Sequence, residues 1–233
     1  MRRLPFVFEL GDLWPRSIVA VGAIRIDWII RILERIELFL YRRAAAVIAL
    51  THAFKENLVT RAIPAGKIWV IRNGVDLQRY APRQQDPALA FAFGTADRFV
   101  IGYVGTHGLA HDLGNVIAAA NLLRQEKRLV FLLVGAGAER NKVIASAKDR
   151  GLENVIFLSM QPKEMMPRIW ALCDVALIHL KNSLAFAEVV PSKMFEAMAM
   201  GLPILLVAPR GDTYIARTRE LTQILRNGAG CSA

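Results

Sequence analysis

Residues 188–201 read EVVPSKMFEAMAMG, and the apolar run LPILLV, residues 202–207, follows directly. Pro191 closes an extended segment, Ser192 is expected as a helix N-cap, Lys193 to Met200 forms a short apolar helix, and Gly201 stops it. A helix N-terminus at the edge of a sheet is an anion site, because its free N–H groups and positive dipole end favour a phosphate. Lys193 adds a full charge in the first turn. Glu196 lies four residues after Ser192, about 6 Å further along the axis, where a ribose attached to that phosphate could sit. Glu188 stands before the helix, on the far side of the phosphate. The resulting E-x7-E pattern puts one carboxylate on each side of a pyrophosphate site. Two glutamates at this spacing also occur by coincidence, so the segments around them have to bear out the reading.

Composition narrows the classes. The 233 residues allow one large domain or two small ones, and 54% hydrophobic residues provide an ample core. Disorder and a disulfide scaffold are excluded. A net charge of +10 fits an anionic partner: a nucleotide diphosphate, an acidic lipid or a nucleic acid. The chain carries no RNA-binding signature, no basic stretch interleaved with aromatics and no zinc-ligand spacing, so nucleic acid is not expected. Cys173 and Cys231 are read as reduced structural thiols. Glu9 and Asp12 interrupt the N-terminal apolar run too early for a signal peptide. No stretch reaches the length of a membrane span, and a cytoplasmic location is expected.

Along the chain, Pro5 to Leu10 reads as a buried strand entering the loop GDLWP, residues 11–15, where Asp12 and Trp14 could face a cleft. Residues 23–43 read as one long helix, either conventionally packed or leaning on a membrane through its arginines and Trp28. A strand (Ala45 to Leu50), a helix capped by Thr51 (His52 to Ala62) and a strand (Lys67 to Arg72) ending in Asn73-Gly74 come next. Strand and helix alternate, so the sheet should be parallel. Residues 77–97 show no clear period and read as a linker. Phe99 to Val104 is then a strand ending in Gly105-Thr106-His107-Gly108, where a glycine on each side lets a ligand approach the backbone. His107 is the histidine favoured for a site, His52 and His179 read as structural, and His111 stays open. Asn115 to Arg124 is helical and Leu129 to Val134 a strand. GAGAE, residues 135–139, opens a helix, and its G-x-G is explained by a tight turn without a ligand. Asn154 to Leu158 is a strand that leads through Met160, Gln161 and Pro162 to a short helix. Asp174 to Leu180 and Leu202 to Val207 are the strands on either side of the opening segment.

PSKMFEAMAMGLPIL, the DLWP loop and KIWVIRNGVDLQRYAP together resemble bacterial family-4 glycosyltransferases of the GT-B fold, in particular those that build surface polysaccharides. The resemblance covers roughly residues 5–230. It implies an α/β chain with Rossmann-like parallel sheets: a partial acceptor-side domain over 1–76, a linker over 77–97 and a donor-binding domain over 98–233. It begins midway through the family's first domain and stops before the closing helices, so the chain is expected to be a piece of the full architecture and inactive alone.

The resemblance also implies a retaining transfer from a nucleotide-diphosphate sugar, with UDP as the expected nucleotide, to a lipid-linked or growing surface glycan. No metal or other cofactor is implied. Peripheral contact with the inner face of the membrane would suit a lipid-linked acceptor. Glu196 would bind the ribose hydroxyls, Glu188 would face the transferred sugar, Lys193 would neutralise the leaving diphosphate, and backbone around Met160 to Pro162 would read the base. Gly105, Thr106, His107, Gly108 and Ser192 would complete the donor side; Asp12, Trp14, Asn73 and Gly74 would border the acceptor side. THGLAH, residues 106–111, departs from the basic pair commoner in this loop and leaves the phosphate charge to Lys193 and helix N-termini. Two other readings share the fold: a nucleotide-sugar 2-epimerase, and a chain that binds nucleotide without turnover.

Overall fold

The computed structural model describes residues 4–22, 24, 26–186, 189–207 and 213–216. These fall into two compact units, Met1–Asn73 with Ser183–Val190, and Gly74–Asn182 with Pro191–Ala233.

The first unit runs β1 (Val7–Leu10), α1 (Arg16–Ala20), α2 (Asp27–Arg43), β2 (Ala46–Ala49), α3 (His52–Thr60) and β3 (Ile68–Val70). Its three strands form a parallel sheet in the order β1-β2-β3. Leu10, Tyr41, Val47, Phe54, Leu58 and Ile68 make one core, against which Val189 packs. The Thr51 hydroxyl accepts from the Phe54 N–H at 3.1 Å and starts α3 as expected. A buried polar lock fastens α2: the Tyr41 hydroxyl donates to Glu37 Oε1 at 2.7 Å, and Arg61 at the end of α3 pairs with the other carboxylate oxygen. The strand expected to be buried over Pro5 to Leu10 is instead four residues long and mostly exposed, with Val7 58% accessible. Among the described residues it pairs with β2 alone. On α2 the apolar residues Trp28, Ile32, Ile36 and Phe39 are exposed in one stripe.

The second unit runs α4 (Pro87–Ala92), β4 (Phe99–Val104), α5 (Leu113–Leu122), β5 (Leu129–Val134), α6 (Arg140–Asp149), β6 (Val155–Leu158), α7 (Met166–Trp170), β7 (Val175–His179), α8 (Ser192–Ala199), β8 (Ile204–Val207) and β9 (Thr213–Ala216). The sheet order is β6-β5-β4-β7-β8-β9, parallel except for β9, which runs antiparallel to β8. From Val130 to Val134 every residue of β5 is buried, the mark of a strand covered on both faces. Tyr103, Leu113, Ile117, Phe131 and Leu133 centre the core on one face of that sheet. The sheet is close-packed at β4: a methyl group on Gly102 would land on Cys173 Sγ. Residues 77–97, expected as a linker, contain α4, with Asp86 capping Leu89 at 3.1 Å and Pro87 in the first turn. Thr95 and Ala90 are buried within the same unit. Six residues are too few to show a helical period, and the cap and proline were the only signals available.

Candidate functional site

The loops after β4, β5 and β7 and the start of α8 meet at the carboxyl edge of the second unit's sheet, where open α/β sheets hold their ligands. Lys193 is the centre. Its ammonium donates to the Tyr103 hydroxyl at 2.8 Å and lies 4.0 Å from the centre of the Tyr103 ring. The Tyr103 hydroxyl in turn donates to the Thr106 carbonyl at 2.6 Å. A Cβ on Gly105, whose φ is +146°, would come within 2.9 Å of the Lys193 nitrogen, so this glycine lets the ammonium lie against the loop. Burial lowers the Lys193 pKa to about 7, with Glu196 acting the other way. Burial likewise raises the Tyr103 phenol and keeps it a hydrogen-bond donor.

Two glycine loops are zipped together beside this pair. The His107 N–H donates to the Ala136 carbonyl at 2.8 Å, and the His107 carbonyl accepts from the Glu139 N–H at 3.0 Å. A side chain on Gly135 would land on the Gly105 carbonyl, and one on Gly137 on the His107 carbonyl. The G-x-G therefore serves loop-on-loop contact, which agrees with reading it without a ligand. Arg140, at the start of α6, donates from Nε to the Gly135 carbonyl at 3.1 Å and brings a second cation to this edge.

His107 departs from expectation. It was the histidine favoured for ligand contact, yet it has no exposed surface and neither ring nitrogen has a partner. Burial, then Arg140 and Lys193, lower its pKa to about 4. His111 and His179 clasp each other: the His179 Nδ1–H donates to the His111 carbonyl at 2.8 Å, and the His111 Nδ1–H to the His179 carbonyl at 3.2 Å. Burial lowers both, His111 to about 4. His179 is thus structural, as expected, and His111 joins it.

Ser192 is the first residue of α8 rather than its cap; Pro191 occupies the cap position and no side chain caps the helix. In the first turn the Met194 N–H donates to the Pro191 carbonyl at 3.0 Å, and no side chain takes the other N–H groups. Glu196 follows one turn on, with Oε2 accepting from Trp170 Nε1 at 3.0 Å. Thr106 is exposed and Gly108 half-buried in the same loop. Met160, Gln161 and Pro162 follow β6 on the same edge, Met160 being 73% exposed. Asp12, Trp14 and Asn73 belong to the first unit and Gly74 opens the second, so the acceptor-side residues are not assembled within one unit. Glu188 lies outside the described residues. Among the described residues, no group of three His, Cys, Asp or Glu side chains could hold a metal ion.

Sequence reading missed Tyr103, Arg140, Trp170 and Tyr80. Tyr103 was the one polar side chain in an otherwise apolar strand, and a buried tyrosine usually has a partner for its hydroxyl; that signal was available.

The profile described as glycosyl transferases group 1 matches residues 88–225, and glycosyltransferase family 4 matches residues 2–79. "Probable glycosyltransferase WbjE" of Pseudomonas aeruginosa is 26% identical over 210 residues, covering 88% of this chain and 52% of its own. A GDP-mannose-dependent alpha-mannosyltransferase of Mycobacterium tuberculosis is 25% identical, covering 71% of this chain and 40% of its own. The chain thus spans about half the length or less of these curated relatives. Among solved structures, Anabaena HepE in complex with UDP-glucose superposes with a TM-score of 0.70 at 21% identity, over 98% of this chain and 63% of that one, which shows the shared GT-B fold. With more than half of its length matched by one profile, the chain belongs to the glycosyl transferases group 1 family of GT-B glycosyltransferases.

Proposed function

We propose that this chain carries the donor-binding unit of a retaining glycosyltransferase, which moves a sugar from a nucleoside-diphosphate donor to a lipid-linked or growing surface glycan. The carrying observation is the Lys193 ammonium at the N-terminus of α8, which no side chain caps, pressed against the Gly105 loop, with Glu196 one turn further along. The α8 N–H groups and Lys193, with Arg140 nearby, would neutralise the diphosphate as it leaves. Glu196 would accept the ribose hydroxyls, and Glu188 would face the sugar. Asp12, Trp14, Asn73 and Gly74 would lie on the acceptor side, and holding both substrates together would supply much of the rate. UDP is the first choice of nucleotide, in keeping with the ligand of HepE.

The test is calorimetry with UDP, GDP and their sugars on the 233-residue chain. Glu196→Ala should weaken binding of the bare nucleotide by roughly 2 to 4 kcal/mol, the worth of two charge-assisted hydrogen bonds. Glu188→Ala should weaken only the nucleotide sugar. Unchanged nucleotide affinity in folded Glu196→Ala would sink the assignment.

The exposed face of α2 adds a membrane contact to the proposal. Trp28, Ile32, Ile36 and Phe39 form its apolar stripe, flanked by exposed Arg31, Arg35, Arg42 and Arg43. An apolar stripe edged by cations matches an anionic lipid surface. No helix among the described residues is long and apolar enough to cross a membrane. The chain should sediment with phosphatidylglycerol vesicles at low salt and come off as salt rises, and Arg31→Gln with Arg35→Gln should weaken the effect. Absence of sedimentation at low salt would refute this contact.

A further inference from the structure

Two residues from segments far apart in sequence lie around the Glu196 carboxylate. Trp170, the last residue of α7 and fully buried, donates from its indole N–H to Glu196 Oε2 at 3.0 Å. Tyr80, only 7% exposed, is buried close enough to the same carboxylate to feel its charge. Burial and that carboxylate push the Tyr80 phenol up to about 12, so it stays protonated and can donate. Both supports are themselves fixed. Tyr80 closes a turn that begins at Asp76, whose backbone carbonyl accepts from the Tyr80 N–H at 2.8 Å and whose Oδ1 accepts from the Gln78 and Arg79 N–H groups at 3.0 and 3.2 Å. Past Tyr80, Pro82 packs at the end of α8, where a Cβ on Gly201 would meet it at 3.4 Å. Asp86 then pairs with Arg168, which stands two residues before Trp170 on α7.

An unsupported glutamate would sample many rotamers on the helix surface and lose that freedom when a ligand bound. Here Oε2 accepts from the indole N–H at 3.0 Å, and the acceptor sites that this bond does not use remain for a ligand. A carboxylate set in advance can accept two neighbouring hydroxyls of one sugar ring without that cost.

We propose that Trp170 and Tyr80 are positioning residues that hold the Glu196 carboxylate ready for the paired 2′- and 3′-hydroxyls of a ribose, making this unit selective for ribonucleoside over deoxyribonucleoside diphosphates. The inference rests on the proposed role of Glu196 as the ribose-binding carboxylate. It reaches beyond that role because it assigns the selectivity to two residues that need not touch the nucleotide.

The experiment is calorimetric titration of the 233-residue chain with UDP and with 2′,3′-dideoxy-UDP, alongside the guanosine pair. The wild type should prefer the ribonucleotide, and Tyr80→Phe and Trp170→Phe should each shrink that preference roughly tenfold, the scale of one misplaced hydrogen bond. Affinity for the dideoxy nucleotide should stay constant, whereas a merely structural role would lower both affinities together. In a Glu196→Gln background neither substitution should change the preference further. Because Trp170 is fully buried, Tyr80→Phe carries the test if Trp170→Phe fails to fold. A wild type that does not distinguish the two nucleotides, or binds neither, overturns the role of Glu196 and this inference with it. A wild type that does distinguish them, with Tyr80→Phe and every folded Trp170→Phe protein keeping the full preference, overturns the positioning role alone.

Discussion

The second unit should lose stability on mild acidification, and His107 should account for about one proton of the effect. Its imidazole has no exposed surface, no hydrogen-bond partner for either nitrogen, and Arg140 and Lys193 nearby. Its pKa is lowered to about 4 in the folded chain, against about 6.5 when unfolded. As pH falls below the unfolded value, the unfolded chain takes up the proton first, so the native state is progressively disfavoured down to pH 4. The slope is about 1.4 kcal/mol per pH unit for one group. Across the window this sets a ceiling of roughly 3 kcal/mol. His111 and His179 titrate in the same direction, so His107 has to be isolated by difference. Trp170 is the one tryptophan of the second unit; Trp14, Trp28 and Trp69 all lie in the first. Replacing those three by Phe therefore makes fluorescence-monitored urea unfolding a report on the second unit. Between pH 6 and pH 4.5, His107→Leu in this background should lose stability less steeply than its parent by about 1.4 kcal/mol per pH unit. Parallel pH profiles for the two proteins would refute the reasoning, because they would mean that His107 is hydrated or partnered in the native state.

Lys193, lowered to about 7, loses its charge through the physiological range. Nucleotide binding should therefore weaken above pH 7 by up to about tenfold per pH unit, and Lys193→Arg, which stays charged, should flatten that dependence. A dependence unchanged in Lys193→Arg would assign the titration to another group. In the first unit, Glu37→Gln leaves Arg61 beside a neutral partner and should destabilise by about 3 kcal/mol, whereas Tyr41→Phe should cost about 1 kcal/mol. Equal melting temperatures for wild type and Glu37→Gln would show that the pair contributes nothing.

How much of the fold could be read in advance depended on how completely each element is covered. β4 and β5 fall on the expected boundaries, 99–104 and 129–134, because a strand packed on both faces is written as an unbroken apolar run. β1 was misjudged for the opposite reason: three of its four residues are apolar, but Glu9 interrupts the run and, among the described residues, the strand lies at a sheet edge, which composition alone does not reveal. α4 was missed because six residues cannot display a period, and the helix beginning at Asp27 was expected to start at residue 23. The placement of Lys193 and Glu196 on one short helix was legible because a local pattern can give its phase. Their partners were not. Tyr103 reaches Lys193 across 90 residues and Trp170 reaches Glu196 across 26, and such pairings are made by the sheet order rather than by spacing.

In the loop Gly105 to Gly108 the glycines serve a contact within the protein. Glycines on both sides of Thr106-His107 do mark a close approach, but the group that approaches is the neighbouring loop, through Ala136 and Glu139, together with the Lys193 ammonium. The His107 ring beside that contact is buried and stays neutral above about pH 4, so it would bring no positive charge to the diphosphate of the proposed donor. In the proposed function that charge would come from Lys193 and Arg140, both of which lean on this pair of loops: Lys193 through Tyr103, whose hydroxyl holds the Thr106 carbonyl, and Arg140 through the Gly135 carbonyl. A substitution that parted the loops would therefore move both cations together without touching either, which makes the zipped glycines part of the site although no nucleotide need contact them.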